Sequence, residues 1–471
     1  MDILQACADP NLFAKWFRRP SSFKAWFAFL AGLFALEMTD EQYALYAKHT
    51  GRKHPHNDPC SEAWLIVGRR GGKSFVMALI ALYLACFRSY RQYLAPGERA
   101  TVLVIAADRK QARVILRYVR GMLTNIPILR KLLASETAEA FELNNSVTIE
   151  VGTASFRGTR GYTFAAVLAD EIAFWRTGDD AANPDFEILS AVRPGLATIP
   201  GSMLICASSP YARRGALFDA WKRHWGLDGD DRPLVWRATT REMNPSLPER
   251  VVEEALDRDV ASAKAEYLAE WRDDVEAFVS LDVVEQCVRT DASVRPPTKA
   301  DHYVAFVDPS GGSADAMTLA IAHLDNKTGT VLLDTLLEKK PPFSPDSVVW
   351  EFSKTLKEYG ISHVTGDRYA GEWPREAFRK KGIEYRLADK SRSELYLDML
   401  PVLNSGTVDL LRVQKLINQI VGLERRVTRG GRESIDHPPG GHDDMANAVA
   451  GVISIAKYRR HPRTTFGTVR I

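Results

Sequence analysis

Residues 67–74 read Val-Gly-Arg-Arg-Gly-Gly-Lys-Ser. A phosphate-binding loop works because backbone N–H groups and a helix N-terminus face the anion. A lysine then reaches the β- and γ-phosphates, and a serine hydroxyl meets Mg²⁺. Gly68, Gly71 and Gly72 leave the backbone free to wrap an anion, and Lys73 and Ser74 follow in the expected order. The usual first glycine is Val67 here, and Arg69 and Arg70 fill the middle. Such a site needs acids beside it. The apolar run 164–170 ends in Asp170, placed to hold Mg²⁺ through water, and Glu171 follows, placed to polarise the attacking water. Ser208 and Ser209 end the run "SMLICASS", at the strand edge where a parallel sheet binds its ligand, and their hydroxyls suit sensing of a γ-phosphate. Gln42, in "MTDEQYALY", is a candidate reader of an adenine edge. Gly-Gly-Lys-Ser alone also occurs as a turn with a helix cap. The strand before it and the helix after it favour a nucleotide site, with ATP and Mg²⁺ as its ligands.

A second set of acids lies in the C-terminal half. Asp308 ends "HYVAFVD", Asp367 ends "ISHVTGD", and Asp443 and Asp444 open the helix "DDMANAVAGVISIAKY". In an RNase H-like fold these places converge. Converging carboxylates hold two Mg²⁺ or Mn²⁺ ions that activate water and stabilise the leaving oxygen in phosphodiester cleavage. Any one of them is also an ordinary turn or cap residue; their order along the chain is what favours the nuclease. Asp315 is as much a turn residue as an accessory ligand. Arg425, Arg426, Arg429 and Arg432 lie on a hairpin just before the last acids, placed to hold phosphates.

The elements that must position these residues fall into two series. Runs 63–68, 101–107, 146–152, 164–170 and 202–209 are strands alternating with helices, which predicts a parallel α/β sheet. The stretch 246–275 is charged and helical in pattern. The polar, proline-containing stretch 290–301 is a joint. Strands then restart at 302–308, 317–324 and 330–338 as an antiparallel meander. A helix at 345–359, a strand at 361–367, a helix at 372–381 and a strand at 383–388 follow, with more helix to 424, a hairpin over 424–436 and the closing helix. The expected organisation is an N-terminal helical segment and adenine-side loop (1–60), a P-loop (RecA/ASCE-like) ATPase core (61–245), a helical lid or linker (246–299) and an RNase H-like nuclease domain (300–471).

Bulk properties exclude little and announce nothing further. The chain has 471 residues, 45% hydrophobic and 26% charged, with net charge +3, so a DNA-binding role must rest on local surfaces. Five scattered cysteines form neither a disulfide framework nor a zinc signature, and fit a reducing compartment. The group His49, His54, His56 and Cys60 matches no standard zinc spacing. The longest apolar run, 75–87, is too short to span a bilayer.

Taken together, "GRRGGKS", "GTASFRGTRGYTFAAVLADE", "CASSP", "MNPSLPERVVEEAL", "VDPSGG", "TGD" and "HDDMANAVA" make the chain resemble, from about residue 38 to 457, the large terminase subunit of tailed bacteriophages. The resemblance implies an ATP-driven motor that moves double-stranded DNA into a procapsid, joined to a two-metal endonuclease that cuts concatemeric DNA. It implies γ-phosphate sensing by Arg69 or Arg70 and coupling through Ser208 and Ser209. Asp308, Asp367 and Asp444 become nuclease metal ligands, with Asp443 competing with Asp444, and the His-x-Asp spacing from His442 favours Asp444. An arginine finger offered to a neighbouring subunit is Arg157 or Arg160. A small terminase subunit, a portal ring and further copies of the chain are the implied partners. The implied location is the cytoplasm of the infected bacterial host, outside the stable virion. A repair or defence helicase–nuclease would need a second motor domain. A transposase of DDE type fused to an ATPase shares the acids but not the long motor, and a scaffold protein would not need intact sites.

Overall fold

The computed structural model describes residues 1–153, 161–175, 184–288, 294–298, 301–310, 315–367, 373–427, 433–438 and 441–458. They divide between two compact units, the first ending at Asp273 and the second continuing from Asp274.

The first unit is built on an eight-stranded sheet. Its strands are β1 (Glu62–Val67), β2 (Ala100–Ala106), β3 (Leu133–Glu136), β4 (Ala140–Leu143), β5 (Val147–Thr153), β6 (Thr163–Asp170), β7 (Met203–Ser208) and β8 (Leu234–Ala238). Their order is β3-β4-β5-β2-β6-β7-β1-β8. The run from β5 to β8 is parallel, and only β3 and β4 pair antiparallel at one edge. Both faces are covered, as a parallel sheet requires. Leu65, Val67, Val102, Val104, Leu168 and Ile205 face one core, which includes the helices Lys24–Leu33, Lys73–Phe87 and Arg109–Asn125. Trp64, Ile66, Leu103, Ile105, Val167 and Leu204 face the other, with the helices Pro184–Leu196 and Ala216–His224. The topology sets β7 between β1 and β6. The loop that leaves β1 and the acids that leave β6 therefore flank the serines that end β7.

The second unit begins with β9 (Val275–Ala277). A mixed six-stranded sheet follows, from β10 (Tyr303–Asp308), β11 (Met317–Leu324), β12 (Val331–Lys339), β13 (His363–Gly366), β14 (Glu384–Leu387) and β15 (Val408–Asp409), in the order β14-β13-β10-β11-β12-β15. The expected meander is present: β10, β11 and β12 are antiparallel neighbours, and β13 lies parallel to β10 on its other side. The hairpin β16 (Glu424–Val427) and β17 (Glu433–Asp436) joins β9 in a separate three-stranded sheet. Val304 and Phe306 face the closing helix Asp444–Tyr458 in one core, while Tyr303, Ala305 and Val307 face the helices Pro345–Glu358 and Trp373–Lys380 in another. The helical stretch before 424 is two helices, Arg392–Asn404 and Gln414–Gly422, with β15 between them. Among the described residues no helix is long and apolar enough to cross a membrane.

Candidate functional sites

The loop 68–72 is held from outside by donors on distant parts of the first unit. Three successive carbonyls are tied: Arg69 O accepts from Thr240 Oγ1 at 2.8 Å, Arg70 O from Asn244 Nδ2 at 2.9 Å, and Gly71 O from Trp26 Nε1 at 2.9 Å. Gly68 lies so close to its surroundings that a Cβ there would stand 2.3 Å from Thr240 Oγ1 and 2.8 Å from Tyr267 O. Gly72 has φ +100, a conformation that favours glycine, and caps the helix Lys73–Phe87. The first-turn N–H groups of that helix have no intrahelical acceptor, which makes its start an anion site. Arg70 also has a positive φ, +66, a strained geometry that its tied carbonyl helps to hold. Val67 is fully buried beneath the loop, so the departure from the usual first glycine falls in the sheet core.

The candidate side chains of this unit meet at the ends of β1, β6 and β7. Lys73 Nζ donates to Val67 O at 2.9 Å and lies 3.3 Å from Glu171 Oε1. Glu171 Oε2 accepts from Ser208 Oγ at 3.1 Å and from Ser209 N at 3.3 Å. Asp170 is buried, and its pKa is pushed up to about 7, by burial first and by Glu171 next; Lys73 and a hydrogen bond from Ser74 oppose the rise. Its Oδ1 is buried without a hydrogen-bond partner. A carboxylate oxygen left unpaired beside a serine hydroxyl, a lysine and a helix N-terminus fits a Mg²⁺–triphosphate in chemical kind. Glu171 sits at φ +48, so the chain turns sharply as it leaves β6. Arg69 is paired with Glu266 at 3.1 Å. Arg70 is exposed, and among the described residues its side chain has no ion-pair partner. Gln42 takes part in a capping box: its Oε1 accepts from Thr39 N at 2.9 Å, at the start of the helix Asp40–Thr50. Arg157 and Arg160 lie outside the described residues.

His49, His56 and Cys60 each bond a backbone carbonyl. His49 Nδ1 is 3.0 Å from Arg237 O, His56 Nε2 is 2.9 Å from Arg232 O, and Cys60 Sγ donates to Gly32 O. Burial lowers the pKa of both His49 and His56.

In the second unit the sheet register brings the acids together. Val307 pairs with Gly366, so Asp308 and Asp367 leave adjacent parallel strands side by side. Asp308 pairs with Thr318 across β10 and β11, and Thr318 Oγ1 donates to Asp444 O at 2.7 Å, which pins the closing helix beside them. Gln419 Oε1 accepts from the N–H groups of Met445 and Ala446, capping that helix. Asn447 donates to Asp367 Oδ2 at 3.4 Å and also hydrogen-bonds Asp308, while its Oδ1 is buried without a partner. Burial pushes Asp308 up to about 8, with Asp444 and Asp367 adding to the rise. Burial also pushes Asp444 up, to about 6, with Asp443 adding.

Asp443 is differently placed. Its carboxylate accepts from Arg392 Nη1 at 3.0 and 3.3 Å and from the Tyr396 hydroxyl at 2.7 Å. Arg392 Nη2 also lies 3.8 Å from Asp367 Oδ2. Among the described residues no group of three or more His, Cys, Asp or Glu side chains is arranged to hold a metal ion. Asp308, Asp367 and Asp444, with the unpaired Asn447 oxygen, are hard oxygen donors that suit Mg²⁺ or Mn²⁺ in kind. His442 and Asp315 form an exposed contact of 3.5 Å. On the hairpin, Arg425 pairs with Glu433, and Arg426 with Glu424 and His437 O. Arg429 and Arg432 lie outside the described residues.

No protein-family model matches the sequence, and no curated protein matches it. Solved structures of phage large terminases are similar to it. The chain is similar to the large terminase of bacteriophage HK97 at 16% identity, over 89% of this chain and 95% of that one, with a TM-score of 0.39. It is similar to the large terminase ATPase domain of Thermus phage P74-26 at 15% identity, over 51% of this chain and 97% of that one, with a TM-score of 0.38. It is similar to the large terminase nuclease of the thermophilic phage G20c, in a structure with bound magnesium, at 18% identity, over 38% of this chain and 98% of that one, with a TM-score of 0.32. At these values the likeness assigns no role to any residue.

Trp26, Thr240 and Glu266 around the loop, and Arg392, Tyr396 and Gln419 around the second cluster, were not singled out in the sequence, and Asn244 and Asn447 lie in quoted stretches without having been given a role. Asn447 had a readable signal, standing one helical turn after Asp443 and Asp444 on the face that meets the sheet.

Proposed function

We propose that this chain is a large terminase subunit. ATP hydrolysis in the first unit drives double-stranded DNA into a procapsid, and the second unit cuts concatemeric DNA. The observation that carries the reading is that one chain holds two acid clusters at the ends of central strands. One is joined to a phosphate loop and the other stands at the start of a helix packed on a mixed sheet.

In the first cluster Lys73 and the helix N-terminus bind the β- and γ-phosphates. Ser74 and Asp170 hold the nucleotide's Mg²⁺, and Glu171 takes the proton of the attacking water. Because Ser208 and Ser209 donate to the same Glu171 oxygen, loss of the γ-phosphate that shifts Glu171 is felt at once at the end of β7. That supports their coupling role. Arg69 or Arg70 senses the γ-phosphate. Gln42 reads the base, and Arg157 or Arg160 serves a neighbouring copy in a ring.

In the second cluster Asp308, Asp367 and Asp444 hold divalent metal, which supplies an activated water and charge stabilisation for phosphodiester cleavage. Double-stranded DNA, a small terminase subunit and a portal are the partners, in the cytoplasm of an infected bacterium. A helicase–nuclease reading would require a second sheet with its own phosphate loop, and none is found among the described residues.

The deciding experiment is packaging with purified proheads, small subunit and linear DNA. ATP should render DNA nuclease-resistant, and strand-displacement activity should be absent. ATP-dependent unwinding without protected DNA would sink the motor reading.

A further inference from the structure

Arg392 stands among the acids of the second unit against its own helix. It is the first residue of the helix Arg392–Asn404, where the helix dipole disfavours a cation. Acids hold it there instead. Nη1 donates to both oxygens of Asp443, and Nη2 reaches toward Asp367. Tyr396, one turn along the same helix, donates to the same Asp443 carboxylate. Asp443 is only 3% exposed, and both of its oxygens are engaged. It is a tether, not an open ligand. Arg392 also acts through space on Asp308, where its charge favours the ionised form.

We propose that Arg392 is a positioning residue that serves as the resident cation of this cluster. Fastened by Asp443 and Tyr396, it offsets the charge of Asp367 and Asp308 and competes with a divalent ion for Asp367. The inference rests on the nuclease reading of the cluster. A divalent ion on Asp367 shares that carboxylate with a guanidinium 3.8 Å away, and like charges so placed repel. A lysine in the same place would be a mobile point charge. The planar fork of arginine, held at Nη1 by both oxygens of Asp443, is a fixed one. The arrangement therefore sets how tightly the cluster takes metal before any DNA is present.

The test measures Mn²⁺ binding to the full-length chain by titration calorimetry and by electron paramagnetic resonance, without DNA, together with the melting temperature with and without Mn²⁺. Arg392→Met is expected to bind Mn²⁺ on the order of tenfold more tightly. Because that change leaves Asp443 buried with one partner fewer, Arg392→Met/Asp443→Asn is measured beside it. This second variant removes both charges and keeps an acceptor for Tyr396. It is expected to bind several-fold more tightly than wild type, since Arg392 is the charge that acts on both Asp367 and Asp308. In both variants Mn²⁺ should raise the melting temperature by more than in wild type. Equal or weaker Mn²⁺ binding in the double variant overturns the proposal. So does a gain seen in Arg392→Met alone, because it then comes from Asp443 turning into a ligand. If neither wild type nor either variant binds Mn²⁺, the nuclease reading falls and takes this inference with it.

Discussion

Glu171→Gln separates chemistry from architecture at the phosphate loop. The carboxylate has three partners: Ser208 Oγ, Ser209 N and Lys73 Nζ, at 3.1, 3.3 and 3.3 Å. A glutamine keeps one acceptor oxygen for the two serine donors and turns its amide toward Lys73, where donor meets donor. One charge-assisted contact is lost, worth about 1.5–3 kcal/mol if buried. The Glu171 side chain is 27% exposed, and solvent screening brings the loss toward about 1 kcal/mol. That moves the melting temperature by about 2–4 °C in a unit of this size. Removing a general base costs about 10²–10⁴-fold in rate, or roughly 3–5 kcal/mol of barrier. The catalytic loss thus exceeds the structural loss several-fold. Steady-state ATP turnover should fall at least about a hundredfold. Binding of a fluorescent ATP analogue should stay within about tenfold, or about 1.4 kcal/mol. Turnover within about threefold of wild type would refute the base assignment, since that is a change of under about 1 kcal/mol.

Asp308→Asn should abolish Mn²⁺-dependent plasmid nicking and leave ATP turnover intact, without lowering the melting temperature, because burial already favours the uncharged form; retained nicking overturns the site. The pair His323 and Asp334, 2.7 Å apart and buried, gives β11 and β12 a pH dependence. The hydrogen bond to Asp334 raises the His323 pKa, so its stabilisation is present below about 6.5, down to where acid protonates Asp334, whose own pKa burial raises, and is lost as pH rises through the folded value of His323. Amide exchange in β11 should therefore accelerate on the alkaline side, and His323→Gln should flatten the profile; an unchanged profile in that variant removes the histidine as the cause. A fragment starting at Asp274 should be more stable to denaturant than one starting at residue 300. The shorter piece lacks β9 and the buried Phe278, Val279 and Val284, each worth about 1.5–3 kcal/mol. Equal midpoints would show that the segment is not part of that fold.

Much of both sheets was legible because their strands carry strong local signals. β6 and β10 are apolar runs that end in acid, and β11 lies where the sequence pattern sets it. β8 escaped notice because its five residues sit between a charged stretch and a polar one, although Trp236 is wholly buried. The hairpin of β3 and β4 escaped because its edge strand is mostly exposed and has no apolar alternation. The chemistry-bearing residues were legible as motifs, but what holds them was not. Trp26, Thr240 and Asn244 reach the loop across separations of 45, 171 and 174 residues, and no local period encodes such contacts. The spacing from His442 favoured Asp444 over Asp443, but the physical reason, Arg392 holding Asp443 from 51 residues away, has no local signal.

The two acid clusters meet the same electrostatic problem with different cations, and the difference follows from how each cation is held. Asp170 and Asp308 each end a central strand, and burial raises the pKa of both, so each needs positive charge close by to ionise. Lys73 supplies it in the first cluster. It is a compact ammonium on a flexible stem, shared between Val67 O and Glu171, and it can pass to an arriving phosphate by exchanging one acceptor for another. Arg392 supplies it in the second. To follow a substrate it would have to leave Asp443, whose carboxylate is buried and accepts two of its hydrogen bonds. On the reading proposed above, a cation that moves suits a site that must release its nucleotide at every turnover. A cation that stays suits a site whose charge has to be balanced through long intervals between cuts, while the motor runs and the acids must hold their places.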